Sequence, residues 1–152
     1  MKIVPFDTKF AQAFYDLNIA WLETYFYVEP YDKEVLSNPD RYIISPGGHI
    51  FSFVDDEQVL GTVALLKRGE GIFELTKMAV LSSQRGNKIG QKLMNYCLEF
   101  ADENNFKELY LYSNTLLENA IYIYKKVGFI EVELEKDVHY ERADIKMILE
   151  LR

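Results

Sequence analysis

Apolar positions along the chain alternate with polar ones in two distinct periods, and the switches between them mark out the elements. Lys2–Phe6 is short, apolar and carries Pro5, which reads as an edge strand. Phe10, Ala13, Phe14, Leu17 and Trp21 recur at helical spacing, and Asp7 or Thr8 stands where a cap belongs, so a helix is expected over about Lys9–Tyr25. A loop rich in aromatic and acidic residues, TYFYVEPYD, follows it, then a short helix near Lys33–Ser37 that Asn38-Pro39-Asp40 terminates. His49–Val54, Val59–Leu66 and Ile72–Val80 read as strands joined by the polar turns at Asp55–Glu57 and Arg68–Gly71, an antiparallel meander.

The period then lengthens. From Lys88 to about Asn104, Ile89, Leu93, Tyr96, Cys97, Phe100 and Ala101 form one helical stripe. Glu108–Ser113 alternates as a strand, which makes the preceding strand and helix part of a parallel crossover. A last helix is expected over about Leu117–Val127 with Gly128 as its C-terminal cap. Phe129–Leu134 and Asp144–Leu151 read as a closing hairpin around the polar loop EKDVHYERA. Repeats, low-complexity tracts and linkers are absent from the sequence, so the expectation is one α+β domain over 1–152.

Composition narrows the chemistry. Net charge is −7 and the single cysteine leaves neither an intrachain disulfide nor a cysteine-based zinc site. An acidic chain is a poor non-specific nucleic-acid binder, because that binding rests on phosphate neutralisation. The apolar runs are too short to span a bilayer and the N-terminus lacks a signal-peptide pattern, so the cytoplasm is the expected compartment, with no membrane partner. Any anionic ligand then needs a local basic island.

Such an island stands at SSQRGNKIG, Ser82–Gly90, between the third strand of the meander and the long helix. Gly86 and Gly90 permit close backbone approach, and Arg85, Lys88 and Lys92 bring positive charge to a helix start whose N–H groups point outward. The stretch contains neither GxxxxGK[ST] nor GxGxxG. On its own it is equally a glycine turn with solvated lysines.

Together with a second motif it says more. MAVLSSQRGNKIGQKL followed by NAIYIYKKVGF resembles the GNAT superfamily of acetyl-CoA-dependent N-acetyltransferases, with Ala120, Ile121, Tyr124, Lys126, Gly128 and Phe129 in the family's helix-to-strand signature. The element order of nearly the whole chain fits. The resemblance implies a mixed, mostly antiparallel central sheet of about six or seven strands flanked by about four helices. A splayed parallel strand pair would form the acyl-CoA cleft. It implies acetyl-CoA as cosubstrate, no metal, a small-molecule amine or peptide as acceptor, and a monomer or homodimer. In this pattern Met78, Ala79 and Val80 would hydrogen-bond the pantetheine arm. Arg85, Gly86, Asn87, Lys88, Ile89, Gly90 and Gln91 would hold the pyrophosphate, the strand ending near Asn114 would complete the cleft, and Asn119, one turn before Tyr124, is a candidate contact to the pantetheine arm. Lys88 stands where the family usually has an internal glycine. Tyr124 matches the family's general acid and Glu74 the base position of its histone acetyltransferases. The competing roles are a core tyrosine and a polar strand start.

The acceptor side follows from loops that line it in the family. Tyr27, Glu29 and Asp32 come from the first loop, the acids as attractors of a cationic amine, and Tyr140 and Arg142 come from the last, Arg142 as a carboxylate holder. Solvated loop charges are the alternative for each. Cys97 on the apolar stripe reads as packing, and His49 and His139 as isolated residues at strand edges. A non-catalytic acyl-CoA-binding module, or a protein N-terminal or lysine acetyltransferase, would carry the same motifs.

Overall fold

The computed structural model describes residues 1–138 and 140–152. His139 lies outside the described residues. Strands β1 (Lys2–Pro5), β2 (His49–Asp55), β3 (Gln58–Gly69), β4 (Ile72–Val80), β5 (Glu108–Ser113), β6 (Ile130–Val132) and β7 (Ile145–Glu150) form one mixed sheet in the order β1-β2-β3-β4-β5-β7-β6. Among the described residues only β4 and β5 pair in parallel; the other neighbours are antiparallel. The helices are α1 (Ala11–Tyr25), α2 (Pro30–Ser37), α3 (Ile89–Glu103) and α4 (Glu118–Val127), with a π-helical turn over Asp40–Ile44. This is the α+β architecture that the residue pattern and the resemblance imply.

Local chemistry explains most boundaries. Asp7 accepts a hydrogen bond from the Lys9 N–H (3.0 Å) and caps the turn that leads into α1. The β2–β3 hairpin closes on Asp56-Glu57, both at positive φ, which matches the twist of the flanking strands. Gly128 at φ 113° ends α4 where a side chain would be strained. Two boundaries differ from the sequence-based expectation. α2 starts at Pro30, not about Lys33, because Pro30 occupies the first helical turn and Glu29 and Asp32 form a capping box across it. β6 is shorter than Phe129–Leu134, since Glu133 and Leu134 lie beyond its pairing with β7.

Both faces of the sheet are covered. On one, α3 buries Ile89, Leu93, Met94, Cys97 and Ala101 against β2–β5 and β7. Gly61 of β3 lets α3 sit this close: a Cβ there would come within 2.8 Å of Ile89 Cγ2. Cys97 is buried in this layer, and burial pushes its thiol well above the ordinary range, as a packing role requires. On the other face, Phe14 and Leu22 of α1 and Val35 and Leu36 of α2 pack on Ile50, Ala64 and Leu66. His49 is half-buried against Phe100 at 4.7 Å and near Phe73 and Phe106, and desolvation lowers its pKa, favouring the neutral ring. Among the described residues no helix is long and apolar enough to cross a membrane.

Candidate active site

The site begins with a phase change inside β4. Before Lys77 the odd-numbered residues Phe73 and Leu75 face the α3 layer; after it the even-numbered Met78 and Val80 do. The register shows why: Thr62 pairs with Ala79 but Ala64 pairs with Thr76, so β4 carries one extra residue opposite Val63. Lys77, at φ 57°, is in the left-handed region at this bulge. A bulge of this kind sharpens the local twist and disrupts the ladder.

β4 parts from β5 just ahead of the bulge. Their parallel pairing covers Ile72↔Glu108, Phe73↔Leu109 and Glu74↔Tyr110 and ends there. β4 then stays with β3 while β5 stays with β7 through Leu111↔Met147, Tyr112↔Lys146 and Ser113↔Ile145. The facing edges of Leu75–Val80 and Leu111–Ser113 border a cleft of about 600 Å³. Edges released from a ladder present N–H and C=O groups that an extended polyamide can use.

At one end of the cleft lies the loop that leads into α3. Gly86 stands at φ 93°, and a Cβ added to it would meet nothing within 4 Å; Lys88, the N-cap of α3, stands at φ 60°. No side chain caps this helix, so its first N–H groups remain available to an anion. Lys92 N–H donates to Lys88 O (3.0 Å), closing the first helical turn. Arg85 lies on the cleft wall, its guanidinium 5.4 Å from the Tyr25 ring centre. Asn87 is tied to Gln84 by a side-chain hydrogen bond of 2.9 Å. The left-handed backbone at Lys88 is what the glycine of the related pattern would satisfy. Lys88→Gly is therefore expected to stabilise the protein by about 0.5–1 kcal/mol, the steric relief outweighing glycine's extra chain entropy, whereas Lys88→Val should destabilise it. Denaturant titration of both variants measures this.

The opposite wall comes from the end of β5 and the start of α4. Asn114 donates to Arg142 O (2.6 Å) and accepts from Leu116 N–H (2.9 Å), which fixes the turn into α4. Asn119 is exposed on the wall, and Tyr124 reaches the cleft from the inner side of α4, packed edge-on against Phe129 at 6.0 Å. Burial pushes the Tyr124 hydroxyl up to about 12. Tyr122 is 64% exposed, directed away.

The end of the cleft at Lys77 and Arg142 differs most from the picture of loop charges in solvent. Glu29 and Asp32 are buried, and Asp32 sits at the centre of a hydrogen-bonded cluster. Arg142 Nη1 donates to Asp32 Oδ2 (2.6 Å) and Nη2 to Oδ1 (2.9 Å), Lys77 Nζ donates to Oδ1 (3.4 Å) and the Glu29 N–H to Oδ2 (3.1 Å). Glu29 accepts from Arg142 Nη1 (2.7 Å) and from the Glu141 N–H (3.0 Å). Burial alone would raise the Asp32 carboxyl, but the Arg142 hydrogen bonds and the Lys77 charge overcome it and hold it below the ordinary range. Neither acid lines the cleft; Lys77, Arg142 and Tyr140 do. Lys77 Nζ lies 3.4 Å from the Tyr140 hydroxyl and 4.7 Å from its ring centre. Tyr27 is half-exposed, donates to Glu141 (2.9 Å) and is also absent from the lining.

Glu74 is buried at the last parallel rung, beneath the cleft and not among its lining residues. Its Oε1 accepts from Arg68 Nε (3.1 Å) and Nη2 (2.8 Å), while Oε2 has no hydrogen-bond partner among the described residues. The motifs in the sequence do not point to Lys77, nor to Asn18, Trp21 and Phe26 of the α1 wall. A signal for Lys77 does exist: strict alternation from Phe73 and Leu75 would drive it into the core, which only an extra residue avoids. No cluster of metal-binding side chains occurs among the described residues.

A layered sheet whose one parallel pair splays beside an uncapped helix start defines an acyltransferase architecture. The chain belongs to the acetyltransferase (GNAT) family, whose description matches residues 11–129, and is an acyltransferase. It is 33% identical over 115 residues to the uncharacterized N-acetyltransferase YjgM of Escherichia coli K12, an overlap of 72% of this chain and 68% of that protein. A GNAT-family acetyltransferase from Staphylococcus aureus Mu50 shares the fold with a TM-score of 0.87 at 20% identity, covering 99% of each chain. A Bacillus subtilis acetyltransferase solved in complex with CoA does so with a TM-score of 0.74 at 18% identity, again covering 99% of each.

Proposed function

We propose that the chain, as one N-acetyltransferase domain over 1–152, transfers the acetyl group of acetyl-CoA directly to a primary amine of a small molecule or peptide. The observation that carries this reading is the β4–β5 cleft, which runs from Arg85, in the loop before the uncapped start of α3, past Tyr124 to the buried charges around Lys77; Gly86–Gln91 lie beyond its lining. Its residues suit the cosubstrate. Backbone groups of Met78, Ala79 and Val80 offer a free strand edge for the pantetheine amides. Arg85 and the Gly86–Gln91 turn, with the Lys88 ammonium beside it, offer donors and charge to a pyrophosphate. Asn114 and Asn119 close the other wall.

Bound acetyl-CoA supplies the activated acyl carbon and a thiolate leaving group. A lysine-like amine is only about 0.04% neutral at pH 7, so the protein must help to remove its proton. Glu74 is suited to this through water, because its Oε2 is buried and unpartnered among the described residues while Arg68 holds Oε1 in place. Backbone N–H groups at the Lys77–Met78 bulge are the donors for charge developing on the acyl oxygen. Tyr124 serves the thiolate. With its hydroxyl near 12 and a thiol near ~8.5, complete proton transfer is uphill, so Tyr124 stabilises the leaving sulfur by donating a hydrogen bond while solvent completes protonation.

Calorimetry with acetyl-CoA, followed by a thiol-release assay across amines, tests the reading. Micromolar binding and turnover of at least one primary amine are expected; absence of acetyl-CoA binding would sink it.

A further inference from the structure

The charges around the acceptor end are arranged so that the cations face the cleft and the carboxylates stand behind them. Lys77 and Arg142 line the cleft, with 4% and 15% of their side chains exposed. Asp32 and Glu29, at 0% and 7%, are held on the far side and do not reach the lining. Glu74 is likewise behind, held by Arg68. Of the described lining residues the one carboxylate is Glu118, which stands at the first position of α4 beside Asn119.

A polycationic acceptor needs a carboxylate or a free aromatic face for each of its charges, and the described lining offers a single carboxylate, at the α4 end. The tyrosine faces at this end are already taken. Lys77 and Arg142 each lie 4.7 Å from the Tyr140 ring centre, Lys146 lies 5.6 Å from that of Tyr112, and Arg85 stands over Tyr25. The α1 side adds Trp21, Leu22 and Phe26, and the Trp21 ring is itself packed against the rings of Tyr25 (5.3 Å) and Phe26 (5.8 Å), which leaves mainly apolar surface. The cluster of Lys77, Arg142, Asp32 and Glu29 is neutral as a whole, but the two cations reach the lining and their counter-charges do not, so a carboxylate in the cleft meets the cations first.

Resting on the acetyltransferase reading above, we infer that the acceptor is an amine bearing its own carboxylate and an apolar body, an apolar amino acid or its like, and not a polyamine or aminoglycoside. Its carboxylate faces Lys77 and Arg142, and its apolar part lies against Trp21, Leu22 and Phe26. The reaction leaves that carboxylate unchanged: the acceptor N–C bond forms as the thioester C–S bond breaks, the amine proton passes to solvent, and the thiolate takes a proton in return.

The test compares leucine with leucinamide and with spermidine on the wild-type protein, so that folding is not in question, beside calorimetry with acetyl-CoA. Leucine should exceed both others at least tenfold in kcat/KM. This preference would run against intrinsic reactivity, because the amide's amine is the less basic and more often neutral. Lys77→Gln should shrink the leucine-to-leucinamide ratio while acetyl-CoA affinity holds. Equal use of acid and amide, faster use of spermidine, or acetyl-CoA binding with no turnover of leucine overturns the acceptor assignment and leaves the acetyltransferase reading standing. Loss of acetyl-CoA binding in the wild type would bring down both.

Discussion

Tyr124→Phe is expected to lower kcat about 100-fold with little change in acetyl-CoA affinity, the size seen when one preorganised donor to a developing anion is removed. The side chain is held by its edge-on contact with Phe129 and by its place on the inner side of α4, so the deletion of one oxygen leaves its packing intact. Because burial keeps the hydroxyl protonated up to about pH 12, the rate should show no loss attributable to this group below about pH 10. Steady-state kinetics with a thiol-release assay, paired with calorimetry, separates the two effects. An unchanged kcat would remove Tyr124 from the chemistry and leave it a wall residue.

Asp32→Asn is expected to destabilise the fold by about 3–5 kcal/mol, since it leaves Lys77 and part of Arg142 without a counter-charge in a buried place. The pH dependence carries a sign. The folded carboxyl titrates below its ordinary value, so its stabilising contribution is fully present above about pH 4 and is lost as pH falls through the lower folded value. Urea unfolding between about pH 3 and pH 7 should therefore show an acid-side loss in the wild type that is smaller in the variant. Adding Arg142→Gln to Asp32→Asn should cost less than the sum of the two single changes, because the residues share hydrogen bonds. Strict additivity would mean that the cluster is not one coupled unit.

Much of this architecture is legible in the sequence because it depends on local signals. Helical spacing marks α1 and α3, alternation marks the meander, and Gly128 marks the end of α4. The backbone of the loop before α3 is legible too, down to the anomaly at Lys88, since its positive φ is the state a glycine would supply. What stays hidden depends on pairing between distant segments. Glu29 and Asp32 sit more than about 100 positions from Arg142, and nothing near either segment reports that contact. Glu74 can be placed on β4 from its neighbours, but its carboxylate's engagement with Arg68 across the β3–β4 turn cannot. Tyr27 shares only its loop with Glu29 and Asp32, and its hydrogen bond to Glu141 takes it outside the cleft.

The extra residue in β4 also governs how this chain should be compared with others. Two half-strands in opposite phase meet at Lys77, so hydrophobic alternation cannot be carried across that position. An alignment that absorbs a length difference in the flanking turns, instead of at Lys77, would equate side chains facing the α3 layer with those facing the opposite side of the sheet throughout Met78–Val80. Residue identities in that window carry meaning only once the gap is placed at the bulge.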